Sequence, residues 1–283
     1  MRKAILVIAS LLLAASCKTT SQPQANDARL ATEIFEMRFD PATKPIAAAN
    51  LTGLRTGNDL FSHRNDSRTY FMYDAARASG TAEPFPGTDE ELLALAARVL
   101  ERVGIPKDEV AKARVLQEQH GVGAFDKTTH TITNRKESNG KRYALLTREI
   151  DGVPVVSSRL LLTAGYDKRA SFAELHWPVI SKDVVREAKR LQGLVRYGWQ
   201  APEEQAAKPE TIEAVIIHSP AAATVMDIRA VVRVIYRSAD DRVSMKVQRF
   251  FDGDGRPVAP PRTFAKLPEL GNEKRKSQPQ GKP

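Results

Sequence analysis

The feature that most limits the fold of this chain is a series of strand patterns joined by tight turns, clearest around Asp151-Gly152. Residues 142–150 and 153–163 flank this dipeptide, and Asp-Gly between two apolar runs is typical of a two-residue β-hairpin turn. Strands joined by so short a turn run antiparallel, so the pattern predicts an antiparallel sheet. Further strands are predicted over residues 68–73, 114–119, 170–177, 213–218, 228–237 and 243–251, with a turn at 252–255.

Helical patterns interrupt this series at two places. Thr88 and Glu91 form a capping box, and an apolar stripe at helical spacing then runs from Leu92 to a stop at Gly104. A second helix is predicted from Ser181, with apolar residues on one face and basic residues on the solvated face. The sequence therefore predicts an α+β fold with antiparallel sheets and segregated helices.

Cys17 is the single cysteine, and it follows an apolar run from Ala4 to Ala15 that two positive charges precede. Such a segment is typical of a secretory signal peptide, and the run is shorter than the ~20 residues that span a bilayer. The exit at Cys17 resembles the lipobox of bacterial lipoproteins. That resemblance implies cleavage after residue 16 and acylation of the Cys17 thiol, for example with palmitate. The alternative is an ordinary signal peptide with an incidental cysteine.

Lys18 follows the cysteine. In many Gram-negative lipoproteins an aspartate at that place favours inner-membrane retention, so the resemblance implies the outer membrane, facing the periplasm or the outside. The predicted organisation is a signal peptide (1–16), a lipidated cysteine with a flexible polar tether (17–27), an N-terminal α+β part (28–180), a C-terminal part (181–265) and a disordered basic tail (266–283).

The hairpin segment 143–155, Tyr-Ala-Leu-Leu-Thr-Arg-Glu-Ile-Asp-Gly-Val-Pro-Val, resembles a signature in the propeptides of thermolysin-like metalloproteases. Within residues 60–180 the order of helix, exit and strands is similar to that of the FTP and PepSY modules. The resemblance implies a cystatin-like α+β fold and a role as chaperone or inhibitor of a protease. The chain differs at Arg148, where those propeptides often have glutamine, and at Ser157, where they often have glycine.

No motif in the sequence names a reaction. The His-Glu-x-x-His run of a zinc protease, the nucleophile elbow, the phosphate loop and the dinucleotide fingerprint do not occur. Loss of the predicted signal peptide lowers the formal charge from +9 to +7, and a scattered basic surface accounts for that charge without nucleic acid. We therefore predict no catalytic residues, no metal and no cofactor.

Three groups of residues could carry chemistry, but each also has an ordinary interpretation as surface charges, surface histidines or a turn. The carboxylates of Glu118, Glu149 and Glu174 converge only if the fold brings them together. His120 and His130 bind metal only with outside partners, and the motif at 252–255 lacks the closing glutamate of a calcium loop.

The sequence favours a non-catalytic, lipid-anchored envelope protein that binds a protein or envelope partner, such as a secreted protease that it inhibits or chaperones. Two alternatives remain: a structural lipoprotein for envelope assembly, and a secreted hydrolase whose site is assembled from distant residues.

Overall fold

The computed structural model describes residues 22–260, except 41–42, 49–50, 65–66, 80–84, 127, 129–130, 205–206, 219–227 and 239–245. Cys17, the predicted signal peptide and the predicted tail lie outside the described residues. The helices are α1 (Gln22–Phe35), α2 (Ala75–Ser79), α3 (Asp89–Arg102) and α4 (Lys182–Arg196), with a 3₁₀ turn at Lys107–Glu109. The strands are β1 (Lys44–Ala48), β2 (Leu51–Thr56), β3 (Asp59–Arg64), β4 (Thr69–Tyr73), β5 (Val110–Asp126), β6 (Thr131–Ile150), β7 (Val153–Ala164), β8 (Ala170–His176), β9 (Ala207–Ile217), β10 (Arg229–Ser238), β11 (Lys246–Phe251) and β12 (Pro257–Val258).

The strands form one sheet in the order β1-β2-β3-β4-β8-β7-β9-β10-β11-β12, and β6 pairs with both β5 and β7 beside that path. Every pairing in the described part is antiparallel except that of β7 with β9, which is parallel. The protein is therefore an α+β fold with a large, mostly antiparallel sheet and few helices, as predicted.

The two predicted helices form where their caps indicate. The Thr88 hydroxyl accepts a hydrogen bond from the Glu91 backbone N–H, and the Glu91 carboxylate accepts one from the Thr88 N–H. At the start of α4 the Ser181 hydroxyl accepts a hydrogen bond from the Val184 backbone N–H. Helix α3 packs on β5, β6 and β7, and α4 packs on β7, β9 and β10. Each helix covers its part of the sheet with its apolar stripe.

The predicted turn at Asp151-Gly152 is confirmed. Both residues have positive φ, 50° at Asp151 and 78° at Gly152, as a type I′ hairpin turn requires. Strand β8 ends at His176, and the side chain of Trp177 that follows is completely buried, as expected of a core anchor. At the far end, the Asp252 carboxylate accepts hydrogen bonds from the backbone N–H groups of Asp254 and Arg256, which closes the predicted turn there.

The predicted flexible tether over 17–27 is wrong over residues 22–27, because α1 begins at Gln22. Leu30, Ala31, Ile34 and Phe35 form an apolar stripe that packs into the main core. In the first half of α1, the buried Asp27 carboxylate lies 2.8 Å from Nε2 of buried His63 in β3. The polar composition of this segment concealed a helix that long-range contacts stabilise.

No helix in the described part of the chain is long and apolar enough to cross a membrane.

Candidate functional site

Strand β7 changes its neighbours part-way along its length. Thr147 of β6 pairs with Arg159, but the next residue, Arg148, pairs with Val155, so the register skips residues 156–158. Before this bulge β7 lies beside β9, with Val155 opposite Ile216, and after it β7 pairs with β8. A bulge re-aims side chains, and this one collects buried polar groups. We call the cluster of Arg148, Ser158, His176, Trp177 and His218 the β7 junction.

Arg148 is the charged centre of the junction, with its side chain only 3% exposed. Its Nη2 lies 2.7 Å from Oε2 of Glu109, and its Nη1 donates to the Pro178 carbonyl at 2.6 Å. Burial lowers the pKa of Arg148, and the Glu109 carboxylate opposes that shift. The Trp177 indole N–H donates to the same Glu109 oxygen at 2.9 Å, and the guanidinium lies 5.4 Å from the Trp177 ring centroid. Arg148 thereby ties the end of the 3₁₀ turn to the segment that leads into α4.

Ser158 and His218 form a second buried pair. The Ser158 hydroxyl and His218 Nε2 are 3.0 Å apart, and each residue is 1% exposed. Burial and, to a smaller degree, the positive charge of Arg148 together lower the pKa of His218 to about 4. The imidazole is therefore neutral near pH 7.

His176 lies on the same junction and is 2% exposed. Burial lowers its pKa to about 2, with smaller contributions from His218, Arg159 and Arg64. Its Nε2 is 3.7 Å from Oε1 of Glu174, which also accepts from Arg159 Nη2 at 2.6 Å. The junction thus holds two neutral histidines.

The Ser158–His218 distance is that of a nucleophile and its base, but the surroundings are not those of an active site. Within the described residues, buried His218 Nδ1 has no hydrogen-bond partner, whereas a catalytic histidine is oriented there by a third group. A pKa near 4 also makes His218 a weak base at neutral pH. The pair is suited to joining β7 and the end of β9.

A different kind of site lies at the edge of the sheet. Among the described residues β5 pairs only with β6, so its other edge has no strand beside it. Between this edge and α3 runs a groove of about 340 Å³, which we call the α3–β5 groove. Its lining is largely apolar: Leu93, Ala94, Ala97, Leu100, Glu101, Ile105, Lys107, Val110, Ala113 and Leu146. The groove joins an unpaired strand edge to a hydrophobic surface, as peptide-binding sites do.

Alternation along β5 divides its side chains between the two faces of the sheet. Ala113 pairs with buried Leu146 and lines the groove, and Val115 packs against the core. Lys112 and Arg114, which alternate with these residues, lie on the opposite face, and both are exposed. The edge is therefore apolar towards α3 and cationic on its other side.

The candidate carboxylates Glu118, Glu149 and Glu174 do not come together in the structure. Glu174 binds Arg159, whereas Glu118 accepts from the Lys141 backbone N–H. Glu149 pairs with Pro154 beside the hairpin, roughly 30 Å along the β5–β6 ribbon from Glu118 at about 3.3 Å per residue. No cluster of three or more metal-ligating side chains occurs among the described residues. The His120 side chain, His130 and the lipidation candidate Cys17 lie outside them.

Sequence reasoning missed both the β7 junction and the α3–β5 groove. The junction depends on pairs far apart in the chain, such as Ser158 with His218, which are 60 residues apart. The one local signal was Arg148, a charged residue in a strand at the position where the propeptides that this hairpin resembles often have glutamine. For the groove, the signal was Ala94 and Ala97 of α3. Both are small apolar residues that lie outside the buried stripe of the helix and are exposed.

Comparisons with known proteins add little to this description. No protein-family model matches the chain, and no curated protein matches it. A solved structure, an uncharacterized protein from Eubacterium rectale, is similar over 84% of this chain and 79% of that chain, with 12% sequence identity and a TM-score of 0.40. A similarity at this level carries no argument about function.

Proposed function

We propose that this protein is a non-catalytic, lipid-anchored cell-envelope protein that binds another protein through the edge of β5. The observation that carries the proposal is the unpaired β5 edge beside the apolar α3–β5 groove. An unpaired edge offers backbone donors and acceptors to an incoming strand, and the groove supplies apolar area for its side chains.

The proposed anchor is Cys17, and the proposed place is the outer membrane of a Gram-negative bacterium. The support is the signal-like segment that ends at Cys17 and the lysine that follows it. Replacing Cys17 with alanine should move the protein from the membrane fraction to the soluble fraction and abolish its labelling by radioactive palmitate. Equal membrane retention of Cys17→Ala and wild type would contradict lipid anchoring.

The proposed partner is a secreted hydrolase, held as by an inhibitor or chaperone. Helix α3 packed across the antiparallel strands β5, β6 and β7 supports a cystatin-like module of the FTP and PepSY kind. The alternative is a structural role in envelope assembly. Adding the purified protein to the cell's own secreted proteases separates the two, because only an inhibitor lowers their activity.

A hydrolase is the second candidate, and the Ser158–His218 pair is the observation in its favour. Its test is hydrolysis of simple esters and peptides by wild type and by Ser158→Ala. Turnover by the wild type that the alanine variant loses would replace the binding proposal.

Affinity capture from detergent-solubilised envelopes tests the proposed binding. Ala97 lines the groove and is exposed, so Ala97→Trp should fill the groove without disturbing the core. Arg98 is exposed on the same helix but does not line the groove, so Arg98→Trp is the matched control. We expect a partner that wild type and Arg98→Trp recover and that Ala97→Trp loses. Recovery of the same proteins by all three would count against this site.

A further inference from the structure

The charges along β5 indicate the chemical character of a strand that could pair with its free edge. Lys112 and Arg114 are exposed on the face away from α3, and Lys107 is exposed at the mouth of the groove. None of these three cations has an ion-pair partner within the part of the chain that the structure describes. Other arginines of the sheet, such as Arg159 and Arg233, are paired with glutamates. The first part of the β5 edge therefore carries uncompensated positive charge beside an apolar groove.

A strand added to β5 would meet these two surfaces on alternate residues, because successive side chains point to opposite faces of a sheet. Its residues on the α3 side would lie against Ala113 and the groove, where apolar side chains are favoured. Its residues on the other side would lie against Lys112 and Arg114, where opposite charges stabilise the pairing.

We infer that the β5 edge binds an extended protein segment in which apolar residues alternate with acidic ones. The inference rests on the proposed function and adds the chemistry of the partner to it. Lys112 and Arg114 select the acidic positions, and the α3–β5 groove selects the apolar ones. Both requirements apply to the same short segment, so neither a purely acidic nor a purely apolar peptide meets them.

The same charges disfavour a second copy of this chain as the partner strand. Pairing of β5 with β5 would place the Lys112 and Arg114 side chains of both copies on one face of the joined sheet, and neighbouring like charges destabilise a strand pair. Cations on an edge strand protect it from self-association. The same cations attract an acidic strand, so they favour an acidic partner over a second copy of this chain.

The inference can be tested with short labelled peptides and the full-length protein in detergent. The first peptide alternates valine with glutamate, the second alternates valine with lysine, and the third has the composition of the first with its glutamates grouped at one end. Fluorescence anisotropy at low salt gives each Kd. Two facing ion pairs should make the valine–glutamate peptide bind about tenfold more tightly than the valine–lysine peptide. The grouped peptide controls for general attraction to a basic protein and should bind more weakly than the alternating one.

Charge reversal on β5 should reverse the preference. In Lys112→Glu/Arg114→Glu, both altered side chains are exposed, so the fold should persist, and urea denaturation checks that it does. This variant should prefer the valine–lysine peptide. The matched control is Lys182→Glu/Arg196→Glu, which changes the net charge equally at exposed positions of α4 and should keep the wild-type preference.

The outcomes separate this inference from the proposed function. Equal binding of both alternating peptides, with loss of both in Ala97→Trp, overturns the charge selection and leaves the β5 edge a binding site. Failure of the valine–glutamate peptide to bind wild type overturns the inference, as does an equal shift in preference by the α4 variant. The capture experiment decides the proposed function independently, because it uses the natural partner.

Discussion

Acidification should destabilise this protein through the two buried histidines of the β7 junction. His176 and His218 are almost fully buried, and their pKa values are lowered to about 2 and about 4. In the unfolded chain both would titrate near the ordinary histidine pKa of about 6.5. Below that pH the unfolded state binds protons that the folded state does not. The contribution of the two neutral histidines to the free energy of unfolding is therefore fully present above pH 6.5. It decreases as the pH falls towards the folded-state pKa.

The size of the effect follows from the difference in pKa between the two states. Each pH unit between the two pKa values changes the free energy of unfolding by about 1.4 kcal/mol for one histidine. From pH 7.5 to pH 5, His218 should therefore contribute a loss of about 2 kcal/mol, and His176 a loss of about the same size. Most carboxylates titrate mainly below this window, in wild type and variants alike. A comparison of wild type with a histidine variant therefore isolates the contribution of that histidine.

Urea denaturation of wild type and His218→Asn at pH 7.5 and pH 5 measures this directly. The variant lacks one of the two titrating groups, so its free energy of unfolding should fall by about 2 kcal/mol less than that of wild type over this interval. Ser158→Ala is the control, because it removes the hydrogen bond and keeps the imidazole, and it should retain the wild-type pH dependence. An identical pH dependence in wild type and His218→Asn would refute the reasoning that His218 is held neutral by burial.

Three other changes test the contacts that hold the elements together. Glu109→Gln should lower the free energy of unfolding in urea by roughly 3–5 kcal/mol, because it leaves the buried guanidinium of Arg148 unpaired. Arg148→Met should lower it by less, because Glu109 is partly exposed. The reverse order would contradict this assignment. Asp27→Ala should lower the free energy of unfolding by about 1–3 kcal/mol and speed hydrogen exchange in α1. The control is Glu33→Gln in the exposed ion pair on the same helix, which should lower it by under about 0.5 kcal/mol. Similar losses in both variants would argue against the buried contact. Thr88→Ala should cost about 1 kcal/mol and lower the Tm, since it removes half of a capping box, and an unchanged Tm would exclude a stabilising cap.

The parts of the fold that short-range interactions decide were predictable from the sequence. The turn at Asp151-Gly152 depends on positive φ at two adjacent residues, and the start of α3 depends on Thr88 and Glu91 alone. Hairpins between neighbouring strands follow from such turns. The coarse fold class could therefore be predicted, because it is the sum of local signals.

The parts that long-range contacts decide were not predictable. Helix α1 is held by the contact of Asp27 with His63, 36 residues away. Strands β2 and β3 had a usable signal, since they are joined by Gly57-Asn58 with φ of 57° at the glycine, but the polar surroundings weakened it. The parallel contact of β7 with β9 has no local signature at all. The candidate site at the β5 edge depends on which edge of a strand has no neighbour, and only the order of the described strands in the sheet shows that.

The early start of α1 limits how far the folded body can move from a lipid anchor. If Cys17 is acylated as proposed, the chain from Cys17 to Gln22 spans at most roughly 17 Å even when fully extended. This connecting segment is shorter than α1 itself, which has 14 residues and a rise of about 1.5 Å per residue. The start of α1 would then stay within about that distance of the bilayer surface, and the folded body would stay in the layer next to the membrane. A partner confined to the same layer would meet it at a raised effective concentration, so even weak pairing along one strand would be enough to hold it there.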